Sequence, residues 1–583
     1  MVIFLRKSLS FLKSFLFEGV IIFFLIFTVN NYLGNSPRTI NADGIGYYDY
    51  LPSIFIHGDI NRKGEPVAEN PELYDRINGL GCYVDYHGHK VNKYPCGTAL
   101  LQFPFFIVNY IQTERSGAID DGYQSPFQKG IFHAAIFYLF LSAFFLKLLL
   151  EQYQIRKFTI IVSQLLLVLG TSLTHYVTAD AGFSHVYSLF AITAFLYFVK
   201  RYFNTQNIRA FYAACVFLGL ILILRQINIL IVLFIPFLAG SYTNLRDGMR
   251  NLLQHYWKSG IGILIILAFF SIQSLLWYLQ TGIAFLNSYQ GEGFDFLDPA
   301  FFSILFSYKK GLFVYTPVLF IAIFGLITLI VKREYYLCFT WIGFFIILTY
   351  ILSSWWSWFY GCSFGLRAYI DFYACFFILF ALLFDRVKIW LKILILVPSL
   401  LTIPINVIQT YQYKNYILHW IEMDRAKYWR VFLRQEDRFR GILWQTNCDN
   451  NQCELIKEIC LSDIEVPANN NQTVFKINQS DINDVGQINL IQIVFDNSFV
   501  DEETARVILC IKNIESGNLS YYHNPFLIHF VQGSLGEYQT GSYNFVLPSS
   551  ERDKNDIIIL DLNTTDNPVK LSNTKIRFLH FTP

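Results

Sequence analysis

Long apolar segments constrain this chain more than any other feature. They recur through about the first 410 positions, each roughly 15 to 24 residues long, and a helix needs about 20 to cross a bilayer. Of the residues, 54% are hydrophobic and 15% charged, which excludes an ordinary soluble protein. We therefore predict a polytopic α-helical membrane protein with about eleven transmembrane helices. These lie near 15–33, 129–150, 158–177, 183–199, 210–225, 227–240, 259–280, 312–331, 335–353, 368–385 and 390–410.

Lysine and arginine residues distinguish the two sides of the predicted bundle. They follow every second segment from the second to the tenth, as Arg156, Lys200, Arg246, Lys332 and Arg386 illustrate. Short cytoplasmic loops carry such an excess of basic residues. The sequence therefore predicts a multi-pass protein of the cytoplasmic (inner) membrane, with a cytoplasmic N-terminus and an extracytoplasmic C-terminus.

The same alternation settles two ambiguous segments. If 97–112 spanned, every later basic loop would change sides, so an interfacial or re-entrant helix is favoured there. Residues 210–240 are interpreted as two short spans with Arg225 at the outer turn. The segment 15–33 is interpreted as an uncleaved helix, with a cleaved signal peptide as the alternative because basic residues precede it.

Composition changes after about Lys414, where long apolar runs stop and Asn, Asp, Ser and Lys become frequent. We predict a transmembrane domain over 1–414, with a long first external loop at 34–128, and a connector over 415–440. An extracytoplasmic β-rich domain is predicted over 441–583. Alternating segments in this last region are typical of the strands of a small antiparallel β-sandwich. They are 488–495, 505–514, 524–531, 556–562 and 575–581.

Seven of the ten cysteines fall outside the membrane in this topology, where disulfides persist. Cys82 and Cys96 stand within reach of a disulfide in the first external loop. At least one further pair is expected among four later cysteines, which are Cys448, Cys453, Cys460 and Cys510. No His pair stands at metal-ligand spacing, so the sequence predicts no cofactor and leaves dependence on a divalent metal open. The net charge of +2 gives no indication of nucleic-acid binding.

Polar and aromatic residues concentrate in the loops that this topology places outside. The stretch NADGIGYYDYLP follows the first helix, and the second outer turn reads THYVTADAGFSHVYS. Cations in the later outer loops run against the charge bias of that side, which favours a phosphate site. The predicted substrate-binding residues are Asp49, Tyr47, Tyr48, His175, His185, Arg225, Lys309, Lys310, Trp356 and Arg367.

Each of these positions also has a structural interpretation. Asp49 can cap the short helix that follows it, and Asp43 with Gly44 can form a turn. The two histidines can bond to backbone at the membrane interface. Trp356 and its neighbours can form an aromatic belt, and the lysine pair can extend along the membrane edge towards water.

Six stretches of the sequence resemble a known superfamily. ADGIGYYDYLP, KYPCGTALLQFPFF, SHVYSLF, LRQINIL, SYKKGLFVYTPVL and WWSWFYGCSFGLR are similar to a bacterial branch of the GT-C superfamily of membrane glycosyltransferases. The resemblance covers residues 1 to about 410 and not the C-terminal domain. Its members have a cytoplasmic N-terminus, many spans, and a long first external loop with an acidic residue soon after the first helix.

The resemblance implies a GT-C-like fold in which Asp43 is the catalytic base. Many relatives carry two adjacent acids there, whereas Gly44 follows Asp43 in this chain, and Ser357 stands where the oligosaccharyltransferase WWD motif has its acid. The implied activity is inverting transfer of a sugar from a polyprenyl-phosphate-linked donor to a glycan, lipid or protein acceptor on the extracytoplasmic face. Gly44 and Gly46 would leave space for the substrate.

Two other classes of protein stay open. A flippase or transporter of cell-envelope glycolipids would also be polytopic, but it would carry polar residues deep inside its spans. The predicted spans are nearly free of such residues. The second alternative is a protein of the same fold that binds a lipid-linked glycan without catalysis. Sugar transfer by the purified protein would separate these classes.

Overall fold

The chain divides into two compact units in a computed structural model. The units are Met1–Tyr411 with Trp420–Asp424, and Gln412–His419 with Arg425–Pro583. The predicted boundaries at 414 and 440 stay predictions. The structure describes residues 15–60 (apart from 35, 37 and 38), 82–117, 121–415, 417–419, 421, 423–436, 443, 453–478, 481, 488, 490–497, 505–513, 519–523, 539–547, 556–564 and 568–581.

The first unit is mainly helical, with an antiparallel hairpin of β1 (Tyr83–Tyr86) and β2 (His89–Asn92), and its helices α1 to α19 are numbered in chain order. A π turn (Val29–Leu33) extends α1, and 3₁₀ segments (Gln226–Phe234, Arg367–Phe372) precede α10 and α18. The helices are α1 (Leu16–Thr28), α2 (Asp43–Tyr48), α3 (Tyr50–Phe55), α4 (Gly97–Arg115), α5 (Ser125–Gln152), α6 (Lys157–Leu169), α7 (Leu173–Thr178), α8 (His185–Thr205), α9 (Ile208–Leu224), α10 (Ile235–Ala239), α11 (Tyr242–Gln254), α12 (Tyr256–Thr281), α13 (Phe301–Phe306), α14 (Leu312–Tyr315), α15 (Pro317–Ile323), α16 (Gly325–Val331), α17 (Tyr335–Ser353), α18 (Tyr373–Arg386) and α19 (Ile389–Lys414).

Helices occupy all eleven predicted apolar segments, but several are short or broken. Among the described residues, six helices are long and apolar enough to cross a membrane, and a bent pair makes up to seven. The segment predicted at 312–331 shows why fewer helices than predicted are long enough to span. Pro317 has no backbone N–H to continue a helix, and it separates α14 from α15. The multi-pass character is therefore supported, whereas the count of about eleven spans stays a prediction.

The segment predicted to lie at the interface forms one continuous helix. α4 has 19 residues with Pro104 inside it, and it is not among the described helices that are long and apolar enough to cross a membrane. Its first residue, Gly97, contacts α9 closely, because a Cβ there would lie 2.5 Å from the carbonyl group of Ile223. Glycine therefore allows α4 to begin directly against α9, and the interfacial position of α4 stays a prediction.

A buried polar cluster joins α1, α5 and α6. The carboxylate of Glu18 in α1 has no exposed surface, and it lies 3.0 Å from Nζ of Lys147 in α5. Gln164 in α6 donates to the same carboxylate at 2.8 Å. The prediction that the spans are nearly free of polar residues is therefore wrong at this position. A charge in such surroundings is retained only when it is paired.

The predicted disulfide between Cys82 and Cys96 is absent from the described structure. Both cysteines are free, and both lie in the apolar core of the first unit, where they pack as small hydrophobic residues. Cys460 and Cys510 are also free. Cys448 and the side chain of Cys453 lie outside the described residues.

The second unit contains a short helix, α20 (Arg425–Val431), and strands that pair in two antiparallel sheets. One sheet has the order β5-β10-β7-β8, and the other has the order β3-β11-β6-β9, with β4 also paired to β11. These strands are β3 (Cys453–Cys460), β4 (Ile464–Val466), β5 (Asn471–Asn478), β6 (Leu490–Asn497), β7 (Ala505–Asn513), β8 (Leu519–His523), β9 (Gln539–Val546), β10 (Asp556–Thr564) and β11 (Val569–Phe581).

The two sheets share one apolar core. Alternate residues of β10 are buried, and Leu560 of β10 lies in the same cluster as Phe578 of β11 in the other sheet. This is the arrangement of a β-sandwich, and it confirms the predicted β-rich region. The predicted strand at 524–531 lies outside the described residues.

Substitution of Lys147 tests the buried cluster of the first unit. Lys147→Met leaves the Glu18 carboxylate buried without its cation, which typically costs about 3 kcal/mol or more. We expect a lower melting temperature for the purified protein, and we expect the double variant Glu18→Gln/Lys147→Met to recover much of the loss. Arg246→Met breaks an exposed pair and serves as the control. Equal melting temperatures for Lys147→Met and this control would contradict the stabilising role.

Candidate functional site

The first carboxylate after α1 stands in a strained part of the backbone. Asp43 is the first residue of α2, and Ala42 before it has φ 44° and ψ −127°, a region that residues with a side chain rarely adopt. Such strain persists only where the surrounding structure imposes it, and it is found most often at functional sites. The Asp43 side chain is 30% exposed and is therefore accessible to a ligand.

An arginine from a distant segment holds this carboxylate. Nη2 of Arg367 lies 2.7 Å from Oδ2 of Asp43, and its guanidinium lies 5.2 Å from the centre of the Phe183 ring. Burial by itself would raise the pKa of Asp43. The charge of Arg367, a hydrogen bond from Tyr94 and the charge of Lys93 together outweigh this effect, so the pKa lies below its ordinary value. Asp43 is therefore ionised at neutral pH.

Two glycines allow the loop after α1 and the loop before α8 to meet beside Asp43. A Cβ on Gly44 would lie 3.0 Å from the backbone of Gly182, and the amide of Gly182 donates to the carbonyl of Thr39 at 2.9 Å. A Cβ on Gly46 would lie 2.1 Å from the Tyr94 ring. The expectation that these glycines leave space for a substrate is wrong, because protein atoms fill the space beside both.

A second carboxylate, Asp371, forms a buried cluster in the same unit. It has no exposed surface, and it accepts hydrogen bonds from Arg225 at 2.9 Å and from Asn228 at 2.8 Å. Nδ1 of His185 lies 2.8 Å from its other oxygen. Arg225 keeps 14% of its side chain exposed, so it extends from the buried cluster towards the surface.

His175 lies beside a carboxylate of its own loop. Its Nε2 is 2.9 Å from Oδ2 of Asp180, and the His175 side chain is buried whereas Asp180 is partly exposed. His175 therefore has a carboxylate partner, and the predicted bond to backbone at the interface stays a prediction. The same loop supplies Phe183 and His185, so it contributes to both charged clusters.

The two predicted lysines lie in different surroundings. Nζ of Lys309 lies 3.9 Å from the centre of the Phe359 ring, a cation–π contact. Lys310 is buried and donates to the carbonyl of Ser363, and burial lowers the pKa of its ammonium to about 7. Lys310 therefore does not extend into water, and its charge is close to titration at neutral pH.

The remaining predicted aromatic residues differ in exposure, and Tyr47 is close enough to Arg225 and Asp43 to interact with their charges. Trp356 is 61% exposed, as expected of an aromatic belt. Tyr48 is fully buried and donates to the carbonyl of Gly122 at 2.7 Å. Tyr47 is also buried, and its ring lies 4.7 Å from that of Tyr94. Both tyrosines therefore pack in the core of the first unit, and their contact with a sugar stays a prediction.

Asp49 is a buried anchor of the loop between α1 and α5. Tyr123 donates to its Oδ1 at 2.7 Å, and Tyr83 and Ser53 donate to its Oδ2 at 2.5 Å and 3.1 Å. Its side chain makes no capping bond to α3, so the predicted cap is wrong. Because it has no exposed surface, the structure supports a structural role and not the predicted contact with substrate.

The sequence interpretation missed the partners that organise the charged residues. Asp371 and Asn228 were not among the predicted site residues, although both are polar and border apolar segments, where such residues usually have a partner. Among the described residues, no group of three or more His, Cys, Asp or Glu side chains is arranged to hold a metal ion.

No family model and no curated protein matches the chain. Among solved structures, the oligosaccharyltransferase AglB from Archaeoglobus fulgidus, in complex with an inhibitory peptide and a dolichol-phosphate, matches with a TM-score of 0.39 and 11% identity over 70% of this chain and 56% of that one. A complex of the oligosaccharyltransferase from the same organism with Zn and sulfate matches with a TM-score of 0.37 and 12% identity, covering 73% and 58%.

The arabinosyltransferase EmbB from Mycobacterium smegmatis matches with a TM-score of 0.36 and 8% identity over 97% of this chain and 64% of that one. All three structures belong to membrane glycosyltransferases of the GT-C superfamily. The chain spans less than two thirds of the length of each.

Substitution of Asp49 tests its role as an anchor. Asp49→Ala leaves the hydroxyls of Tyr83, Tyr123 and Ser53 without their buried acceptor, at a cost on the order of 3 kcal/mol. We expect thermal unfolding of the purified protein at a clearly lower temperature. Asp298→Ala, at an exposed carboxylate, should change stability by no more than about 0.5 kcal/mol. A stable Asp49→Ala protein that fails to bind lipid-linked sugar would support the substrate contact instead.

Proposed function

We propose that this protein is an inverting glycosyltransferase. It transfers a sugar from a polyprenyl-phosphate-linked donor to a glycan, lipid or protein acceptor at the extracytoplasmic face of the membrane. The observation that carries the proposal is the partly exposed carboxylate of Asp43, held by Arg367 in a strained loop next to the first long helix. Helices that can cross a membrane make a lipid-linked donor accessible to the same unit.

Asp43 is the general base of the proposed reaction. The acceptor hydroxyl attacks the anomeric carbon, and its proton passes to the ionised carboxylate. The bond between the anomeric carbon and the phosphate oxygen breaks, and the electron pair leaves with the lipid phosphate. A single displacement from the opposite side inverts the configuration at that carbon.

The neighbouring cations stabilise the departing phosphate. Arg225, Arg367 and Lys309 supply positive charge in the unit that holds Asp43, and Lys310 adds to it when protonated; the side chains of Arg225 and Arg367 are each partly exposed. Donors that are already oriented by the protein stabilise a developing anion without reorganisation. Arginine suits this role because its planar fork matches phosphate geometry.

The substitution Asp43→Asn tests the base directly. It keeps the size of the side chain and removes the proton acceptor, so turnover should fall about a hundredfold or more. The assay follows release of polyprenyl phosphate and labelled product from a panel of synthetic short-chain polyprenyl-phosphate sugars. Asp298→Asn, at an exposed carboxylate of another loop, should keep full activity. Full activity of Asp43→Asn would refute its role as base, and absence of transfer by the unmodified protein from every donor would refute the proposed function.

The pH dependence of transfer tests the pairing of Asp43 with Arg367. Because the pKa of Asp43 lies below its ordinary value, kcat/KM should persist as the pH falls and be lost only below the usual carboxyl range. Arg367→Gln removes the cation while burial remains, so the pKa rises and the acid limb moves to higher pH. Arg333→Gln, at an exposed loop arginine, should leave the limb in place. An unmoved limb in Arg367→Gln would show that another group sets it.

One observation favours a second candidate, a transporter or flippase of cell-envelope glycolipids. The cluster of Glu18, Lys147 and Gln164 places charge among the long helices, as is common in transport proteins. In a transporter, Lys147→Met would abolish movement of a fluorescent lipid-linked sugar across liposomes. In the proposed glycosyltransferase, the folded variant keeps transfer activity.

A further inference from the structure

α11 is an amphipathic helix at the start of a long membrane-spanning helix. Its axis is bent by 117° from the apolar segment Gln226–Ala239 that precedes it. Ser241 caps its first turn by accepting a hydrogen bond from the amide of Asn244 at 3.1 Å. α12 begins two residues after α11 ends, and only 11% of its most apolar stretch is buried inside the protein. α12 therefore faces lipid, and α11 lies close to one end of it in the chain.

One side of α11 packs on the end of α8. Leu245 and Leu252 contact the apolar core, and a Cβ on Gly248 would lie 2.5 Å from the Phe203 ring. The hydroxyl of Tyr202 donates to the carbonyl of Gly248 at 2.8 Å. These contacts fix the orientation of α11 on the protein, and they therefore determine which of its side chains face outward.

The adjoining side of α11 exposes large apolar residues. Tyr242, Met249 and Leu253 are separated by seven and four residues, which places them on one face of a helix, and they are 67%, 46% and 73% exposed. Trp257, at the start of α12, is 77% exposed. Such a strip is costly in water, and tryptophan and tyrosine at the end of a span are typical of the membrane–water interface.

Basic residues border this apolar strip. Arg246 and Arg250 lie next to it on α11, and Lys258 follows in the first turn of α12; all three are exposed. Asp247 is the one acidic residue of α11, and it lies 3.0 Å from Arg246. The segment 242–258 thus combines apolar residues that can enter the interface with an excess of cations beside them.

We propose that α11 is an interfacial helix that binds the headgroups of acidic phospholipids in the leaflet where α12 begins. Tyr242, Met249 and Leu253 enter the boundary between headgroups and acyl chains, and the three cations contact lipid phosphates. The occupant is a lipid and not a protein, because the exposed strip is next to a lipid-facing span and its charge is complementary to an acidic membrane surface. The proposal is independent of the enzymatic activity proposed above.

Photocrosslinking identifies what covers the strip. A photoreactive amino acid replaces Leu253 in the full-length protein, which is reconstituted in nanodiscs of phosphatidylcholine and phosphatidylglycerol. Mass spectrometry should find a phospholipid attached at this position. The matched control places the same group at Asp247, on the polar side of α11, where no lipid adduct is expected. An adduct with another protein chain, equal lipid labelling at both positions, or no lipid adduct at Leu253 would overturn the proposal.

Removal of charge tests the selectivity for acidic lipid. In the variant Arg246→Gln/Arg250→Gln/Lys258→Gln, the preference for phosphatidylglycerol over phosphatidylcholine in native mass spectrometry should fall about a hundredfold, because each of the three cations near the surface contributes on the order of fivefold. The control Lys332→Gln/Arg333→Gln neutralises two exposed cations of another loop and should leave the preference unchanged. An unchanged preference in the triple variant, or an equal loss in the control, would overturn the proposed headgroup site.

Discussion

A carboxylate without access to water must be paired, and in this chain that requirement joins segments far apart in sequence. Asp371 has no exposed surface, and it is satisfied by His185, Arg225 and Asn228 at distances between 2.8 and 2.9 Å. Removal of one partner would leave an uncompensated buried charge, which is strongly destabilising. The start of α8, the break after α9 and the end of the 3₁₀ segment that leads into α18 are thereby held together. The partly exposed guanidinium of Arg225 is positioned by the same contacts.

The pair of Asp43 and Arg367 differs from this cluster in its exposure. Asp43 is 30% exposed and Arg367 is 12% exposed, so a ligand can contact both residues. Strain at Ala42 and close packing of Gly44 on Gly182 leave the backbone near Asp43 little freedom to adjust. Rigid backbone and an accessible charged pair are the combination that a catalytic site requires. The buried cluster supports the fold, and the accessible pair is available for chemistry.

The positions of the helices could be predicted from the sequence because apolar runs report burial in lipid or protein directly. The concentration of charged residues in the loops between apolar segments likewise indicated Asp43, His185, Arg225 and Arg367 as candidate site residues. Their partners could not be predicted, since Asp371 lies 186 residues from His185, and nothing local specifies such a contact. The burial of Tyr48 and Asp49 was missed for a related reason. A polar or aromatic residue in a loop has the same local pattern whether it faces solvent or a core built from distant segments.

In the proposed reaction Arg367 has two possible anionic partners, the carboxylate of Asp43 and the lipid phosphate. Binding of the lipid-linked donor is therefore linked to the pKa of Asp43. While Arg367 pairs with Asp43, its charge lowers the pKa of the carboxyl and makes Asp43 a weak base. A lipid phosphate that draws the guanidinium away would remove that stabilisation, and burial would then raise the pKa towards the range in which a base is effective. Arg225 cannot exchange partners in the same way, because its departure would leave Asp371 buried without its full set of donors. In the proposed reaction the two arginines therefore have different roles. Arg225 is a fixed cation, and Arg367 is the arginine whose anionic partner can change during turnover.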